Sequence, residues 1–218
     1  MGVAANLEDA LEAAVRRFDG PSPVTPQVHH HRSAAAPAGR ARMQLAIAVV
    51  EEEGGRAEDA LDVAAAVEVL YDAILVHDMA EGGSWSAFGL AHGINAGDAL
   101  SALAYLQLLG SSARRPPERT VEMTRALQQA NFALCGAQAE TGNVPADALF
   151  SAACELGALA CGASAERAQA YARLGRTCAG ALQMTGEVWK VEADALASAA
   201  GIDAGRRVRS LFAALQRA

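Results

Sequence analysis

The sequence predicts an all-α bundle, and three observations carry that prediction. Alanine dominates, aromatic residues make up only 5% and β-branched residues are sparse, so intrinsic preference favours helix along most of the chain. The prolines gather into short stretches, Pro21 to Pro37, Pro116 with Pro117, and Pro145, none of which interrupts a long periodic segment. Small residues recur in "NAGDALSALAYLQLLG", "ACELGALACGAS" and "GRTCAGALQMTG", which lets helices approach closely around a central cavity or seam.

The first helix is expected over about 5–18, before the Pro21–Pro37 stretch, and the second over 40–53, after it. A third, over 57–81, carries a broad apolar surface of Leu61, Ala65, Val69, Ile74 and Val76, with Glu58, Asp62, Glu68 and Asp72 lying elsewhere, as in a helix largely enclosed by others. The next two, over 93–110 and 117–141, are separated by Pro116 and Pro117, and Pro145 opens the sixth, over 145–163. Two more are expected over 165–190 and 192–216. No fixed-period repeat or low-complexity linker divides the chain, and 52% hydrophobic residues suffice for one core, so residues 1–218 read as a single helical domain.

Composition also narrows the function. A formal charge of −7, with no basic stripe interleaved with aromatics, argues against nucleic acid as a partner, because phosphate binding needs cationic neutralisation. The most basic patch, "GRRVRS" at 205–210, reads as a solvated helix face. Cys135, Cys154, Cys161 and Cys178 form no C-x-x-C pair and sit among small apolar residues as buried thiols do, which suggests a reducing, cytoplasmic setting. No uncharged apolar run is long enough to span a bilayer, and the acidic start at Glu8, Asp9 and Glu12 lacks the apolar core of a leader, so a soluble, unprocessed chain is expected.

Chemistry-bearing residues concentrate at "ILVHDMAEGG", 74–83, where carboxylates fall at the negative pole of a helix and need a compensating partner. His77, Asp78 and Glu81 can share one side of a helix and could hold a divalent ion, or the acids face water while His77 bonds within the bundle. Asp98, in "INAGDALSAL", is either a buried carboxylate needing donors or a solvated one near a helix start. Gln138 and Gln183 lie among Ala, Cys, Leu and Gly, so interior amides there must bond to other side chains or to a ligand. Arg40 and Arg42 at a helix start either grip an anion or face solvent as a pair. His29, His30 and His31 form a poorly shaped cluster for a defined metal site. There is no nucleophile elbow, Walker loop, dinucleotide fingerprint or zinc spacing.

"FGLAHGINAGDAL" at 88–100 resembles the segment after the first aspartate-rich motif of trans-isoprenyl diphosphate synthases, the polyprenyl synthetase family, and "LVHD" at 75–78 falls where that motif begins. "LCGAQAE" at 134–140, "ALFSAACELGALACG" at 148–162 and "GALQMTGEVWK" at 180–190 resemble further family segments in the same order, so the similarity is collinear from about residue 32 to 190. The resemblance implies an antiparallel helical bundle around a deep cavity, with two aspartate-rich motifs holding Mg²⁺ ions that bind an allylic diphosphate. The leaving diphosphate demands fixed counter-charge, so the number of ligands decides activity.

Here that set is thin. Asp78 remains but is followed by Met79, the spacer is shortened, and Glu81 partly substitutes. The second motif reads Gly186, Glu187, Val188, Trp189, Lys190, which leaves one glutamate and places a cation where a ligand belongs. Of the family's isopentenyl diphosphate segment Arg40 and Arg42 survive while Gly39 replaces the lysine, and the part beyond the second motif is abbreviated. The resemblance thus implies Asp78, Glu81 and Glu187 as residual metal ligands, and Arg40, Arg42, His77, Gln138 and Gln183 as substrate-binding residues. The expected function is an isoprenoid-binding or regulatory partner, in a homo-oligomer or beside an active prenyl synthase, without ordinary Mg²⁺-dependent elongation. The alternatives are a divergent prenyltransferase or terpene cyclase, and a helical interaction protein without isoprenoid ligand.

Overall fold

The computed structural model describes residues 3–17, 26, 40–77, 89–110, 114–141 and 146–183. They form seven α-helices and, among the described residues, no strand: α1 Val3–Arg16, α2 Ala41–Glu52, α3 Ala57–His77, α4 Leu90–Leu109, α5 Pro117–Thr141, α6 Ala146–Ala160 and α7 Ala165–Gln183. The expected all-α class is observed, and each described helix coincides with one expected from sequence. The helix expected over 192–216 lies outside the described residues. Helix α4 starts at Leu90 rather than 93, because Gly89 at φ 87 turns the chain directly into it.

Helices α2 and α6 stop by the same device. Gly54 (φ 82) and Gly162 (φ 81) are left-handed, and the amide after each donates five residues back, Gly55 to the Val50 carbonyl at 2.9 Å and Ala163 to Ala158 at 3.1 Å. Each stop is followed within a few residues by the next helix, so the chain doubles back and α2 packs on α3, and α6 on α7. Helix α6 also touches α2, α3 and α5, while α3 touches α1, α2, α4, α5 and α6. Those two helices are the centre of the bundle.

Enclosure on so many sides revises the reading of α3. Asp62, Glu68 and Asp72, read from sequence as lying off the apolar surface, are all buried. A buried carboxylate must be matched by donors. Arg115 grips Asp62 in a fork at 2.6 and 3.2 Å, with Arg114 at 3.1 Å from the same side chain. The cysteines divide as well: Cys154 and Cys178 are buried and burial pushes both thiols up, Cys161 is half-buried, and Cys135 is exposed on the outer face of α5 rather than buried.

Tyr171 and Arg167 of α7 fasten the end of α2. The Tyr171 hydroxyl donates to Glu53 at 2.7 Å and the Arg167 Nε donates to both carboxylate oxygens at 2.8 and 2.9 Å. Burial alone would raise the Glu53 carboxyl, but those hydrogen bonds and the Arg167 charge outweigh it and hold the group below the ordinary carboxylate range. Since the folded form binds its proton less readily than the unfolded chain, Glu53 stabilises the fold above the unfolded value of about 4.3 and ceases to do so as pH falls through the lower folded value. Melting temperatures of the native chain and Glu53→Gln are therefore expected to differ at pH 6 and to converge towards pH 3; a constant gap would show that the Arg167 contact carries no charge-dependent stabilisation.

Candidate functional site

The C-terminal end of α3, the first turns of α4 and the last turns of α5 border an open cavity of ≈ 320 Å³ lined by Val76, His77, Leu90, Gly93, Ile94, Asp98 and Gln138. This size falls within the range of small-molecule sites, and the lining has their usual make-up, an apolar wall with a few convergent polar groups. Two expected binding residues, His77 and Gln138, come together here from different helices, and Asp98 joins them.

His77 is fixed by α4. Its Nε2 lies 3.1 Å from the Ile94 carbonyl oxygen and 3.5 Å from Asp98 Oδ1. A carbonyl only accepts, so Nε2 carries the hydrogen and Nδ1 is left to accept from, or when protonated donate to, a ligand. The Asp98 side chain is 70% exposed, which decides the alternative left open by the sequence in favour of a solvated carboxylate.

Arg40 and Arg42 are elsewhere and otherwise engaged. Arg40 Nη1 donates to Glu68 Oε1 at 3.1 Å, and Arg42 forks onto the same carboxylate through Nη2 at 2.7 Å and Nε at 3.1 Å. The Arg42 guanidinium also stacks 3.5 Å above the Tyr71 ring. All three charged side chains are buried, so the solvent-facing alternative for the pair is not what is observed. Arg40 is left-handed, at φ 51, a conformation of order 1 kcal/mol uphill for a residue with a Cβ, and its bond to Glu68 helps to offset that strain. Glu68 precedes His77 by nine positions on α3, about 13 Å along the axis, so the arginine cluster is separate from the cavity.

Glu68 was read from sequence only as lying off the apolar surface, not as a partner for Arg40 and Arg42, although an acid in "AAAVEVLYDAIL" was the signal: a carboxylate in an apolar helix needs cations. Gln183 is the last residue of α7, its side chain outside the described part, and Asp78, Glu81 and Glu187 lie outside the described residues. Among the described residues no three His, Cys, Asp or Glu side chains converge as a metal site. His77 and Asp98 supply one imidazole and one carboxylate oxygen set, which does not fit the all-oxygen octahedron that Mg²⁺ prefers.

A larger cleft of ≈ 400 Å³ runs between α5, α6 and α7, lined by alanines with Gln129, Asp147, Ser151, Glu155, Gln169 and Arg176 at its edges. Burial raises the Glu155 carboxyl against the opposing Arg176 charge and Gln169 hydrogen bond. The expected binding residues His77 and Gln138 line the smaller cavity and not this cleft, so the smaller cavity is the better candidate. Large apolar side chains are exposed at Leu106 and Leu109 of α4 and at Val121 and Phe132 of α5, the last 81% accessible, and the cavity-wall residues Leu90 and Ile94 are exposed as well, so the cavity is open on that side. The two helices are tied by Asn131 Nδ2 donating to the Tyr105 hydroxyl at 2.9 Å. No described helix is long and apolar enough to cross a membrane.

No family model and no curated protein sequence matches the chain. Solved structures do. A geranyl diphosphate synthase small subunit from Antirrhinum majus is similar over 100% of both chains, at 16% identity and a TM-score of 0.73. The chain has the prenyl diphosphate synthase fold. A heterotetrameric geranyl pyrophosphate synthase from mint, solved as a deletion mutant with ligands, is similar over 97% of each chain at 18% identity and a TM-score of 0.69. A geranylgeranyl pyrophosphate synthase is 21% identical with a TM-score of 0.68; 84% of this chain is covered, and it spans 63% of the length of that synthase. The His77 cavity lies between the C-terminal ends of α3 and α5 and the start of α4.

Proposed function

We propose that the chain is a divergent member of the polyprenyl synthetase family that binds a prenyl diphosphate and acts as a binding or regulatory subunit, without ordinary Mg²⁺-dependent chain elongation. The observation that carries this reading is the sealing of Arg40 and Arg42 against Glu68. Elongation needs a second diphosphate held beside the first, and the two cations the sequence offers for it are buried on a carboxylate. The cavity that gathers His77 and Gln138 against Val76, Leu90 and Ile94 supports retention of a prenyl tail. The exposed Leu106 and Leu109 of α4 and Val121 and Phe132 of α5 support a partner chain, either a second copy or a prenyl synthase, that would remove this apolar area from water. Similarity to a small subunit and to a heterotetrameric synthase supports the same reading.

A second reading, a divergent prenyltransferase or terpene cyclase, is favoured by one feature: His77, Asp98 and Gln138 converge on an apolar cavity as they would in an active site. One experiment separates the two. Trp85 and Trp189 flank the altered motifs, so intrinsic fluorescence is titrated with farnesyl diphosphate with and without Mg²⁺, and products with isopentenyl diphosphate are analysed by mass spectrometry. Quenching that does not require Mg²⁺ and yields no product is expected. An elongated or cyclised prenyl product overturns the proposal in favour of the enzyme, and absence of any binding overturns both in favour of an interaction protein.

A further inference from the structure

Gly97 faces the His77 ring across the α3–α4 seam. A Cβ built at this position falls inside van der Waals distance of Nε2, Cδ2 and Cε1 of His77, the last at 2.8 Å. The ring therefore occupies the space that any side chain at 97 would fill, and in that position Nε2 lies 3.1 Å from the Ile94 carbonyl oxygen. The contacting atoms are the far end of a side chain, not backbone. An added methyl group would thus turn the imidazole rather than push α3 and α4 apart, and the turned ring has the cavity beside it.

We infer that Gly97 is a positioning residue for His77 that determines what the cavity admits: its missing side chain lets the imidazole retract against α4, fixes Nε2 on Ile94, and keeps the space between Val76, Leu90 and Gln138 open for an apolar chain. This rests on the reading that the cavity takes a prenyl tail. Two consequences distinguish it from a merely structural glycine. Substitution at 97 acts on ligand size and on the state of the imidazole, and it acts only while His77 is present.

The test is a cycle of Gly97→Ala, His77→Ala and the double variant, measured by calorimetric titration with farnesyl diphosphate and by ¹H–¹³C correlation of the histidine rings without ligand. In G97A the affinity is expected to fall about tenfold, the loss when about two methylene groups of the chain lose their berth, and the His77 ring resonances are expected to move. In the H77A background the same Gly97 substitution is expected to change affinity less than about twofold. Unchanged affinity and ring resonances in G97A, or an equal loss with and without His77, overturns the inference. Failure of the native chain to bind farnesyl diphosphate overturns the prenyl reading instead, and the ligand-free ring resonances still decide whether Gly97 positions His77. Should G97A not fold, recovery of the fold in the double variant supports the inference and its absence overturns it.

Discussion

Glu68→Ala is expected to lower the free energy of unfolding by about 3–5 kcal/mol, the range found when one partner of a buried ion pair is removed. The Glu68 side chain is 1% exposed and accepts from two guanidinium groups that are themselves buried. Truncation removes the carboxylate that both buried guanidinium groups share, beside Tyr71 and with an αL residue among them. Such a loss is a large part of the roughly 5–15 kcal/mol that holds a domain together, so a urea titration reads it as a large shift in midpoint. Glu68→Gln, which keeps the shape and one acceptor oxygen, is expected to fall between. A midpoint for Glu68→Ala within about 0.5 kcal/mol of the native chain would mean that water or another acceptor reaches the arginines, and the sealed cluster would lose its role in the functional argument.

The second large effect is expected at Gly175 on α7. Here a Cβ would meet backbone rather than a yielding side chain: the carbonyl carbon of Phe150 at 2.8 Å and Ser151 Cα at 2.9 Å, with the Phe150 carbonyl oxygen in the same contact. Alanine gains about 1 kcal/mol of intrinsic helix preference over glycine, which favours Gly175→Ala if α6 and α7 can separate. They cannot do so locally, because α6 is also packed on α2, α3 and α5. Overpacking should prevail, with a net loss of about 3 kcal/mol and a fall in Tm of about 6–12 °C. A rise in Tm for this variant would show that the seam yields and that helix preference governs the position.

The helices were legible because their signals are local. Proline stretches, alanine-rich runs and an apolar third helix mark every described element, and the differences are confined to ends, such as Leu90 rather than 93, where a glycine at positive φ decides the start. The candidate site was legible in part. "LVHD", "AGD" and "GAQ" named His77, Asp98 and Gln138 as residues to watch, and the fold brings all three to one cavity. Arg40 and Arg42 were equally visible, but their inward attachment to Glu68 was not, since an ion pair across 26 and 28 positions has no sequence period. Cys135 shows the same limit from the opposite side: small apolar neighbours suggested burial, yet it faces outward on α5.

By itself the sequence determined the helical class, the order of the described helices and which residue types could do chemistry, because preference, periodicity and chain punctuation act within a few residues. Only the tertiary structure decided where those residues meet: that Arg40 and Arg42 bind Glu68, that the His77 ring packs against Gly97, and that Gln138 lines the same cavity as His77. Those outcomes depend on how closely separate helices approach, and a spacing of a few ångströms between distant segments is set by the packing of the whole bundle.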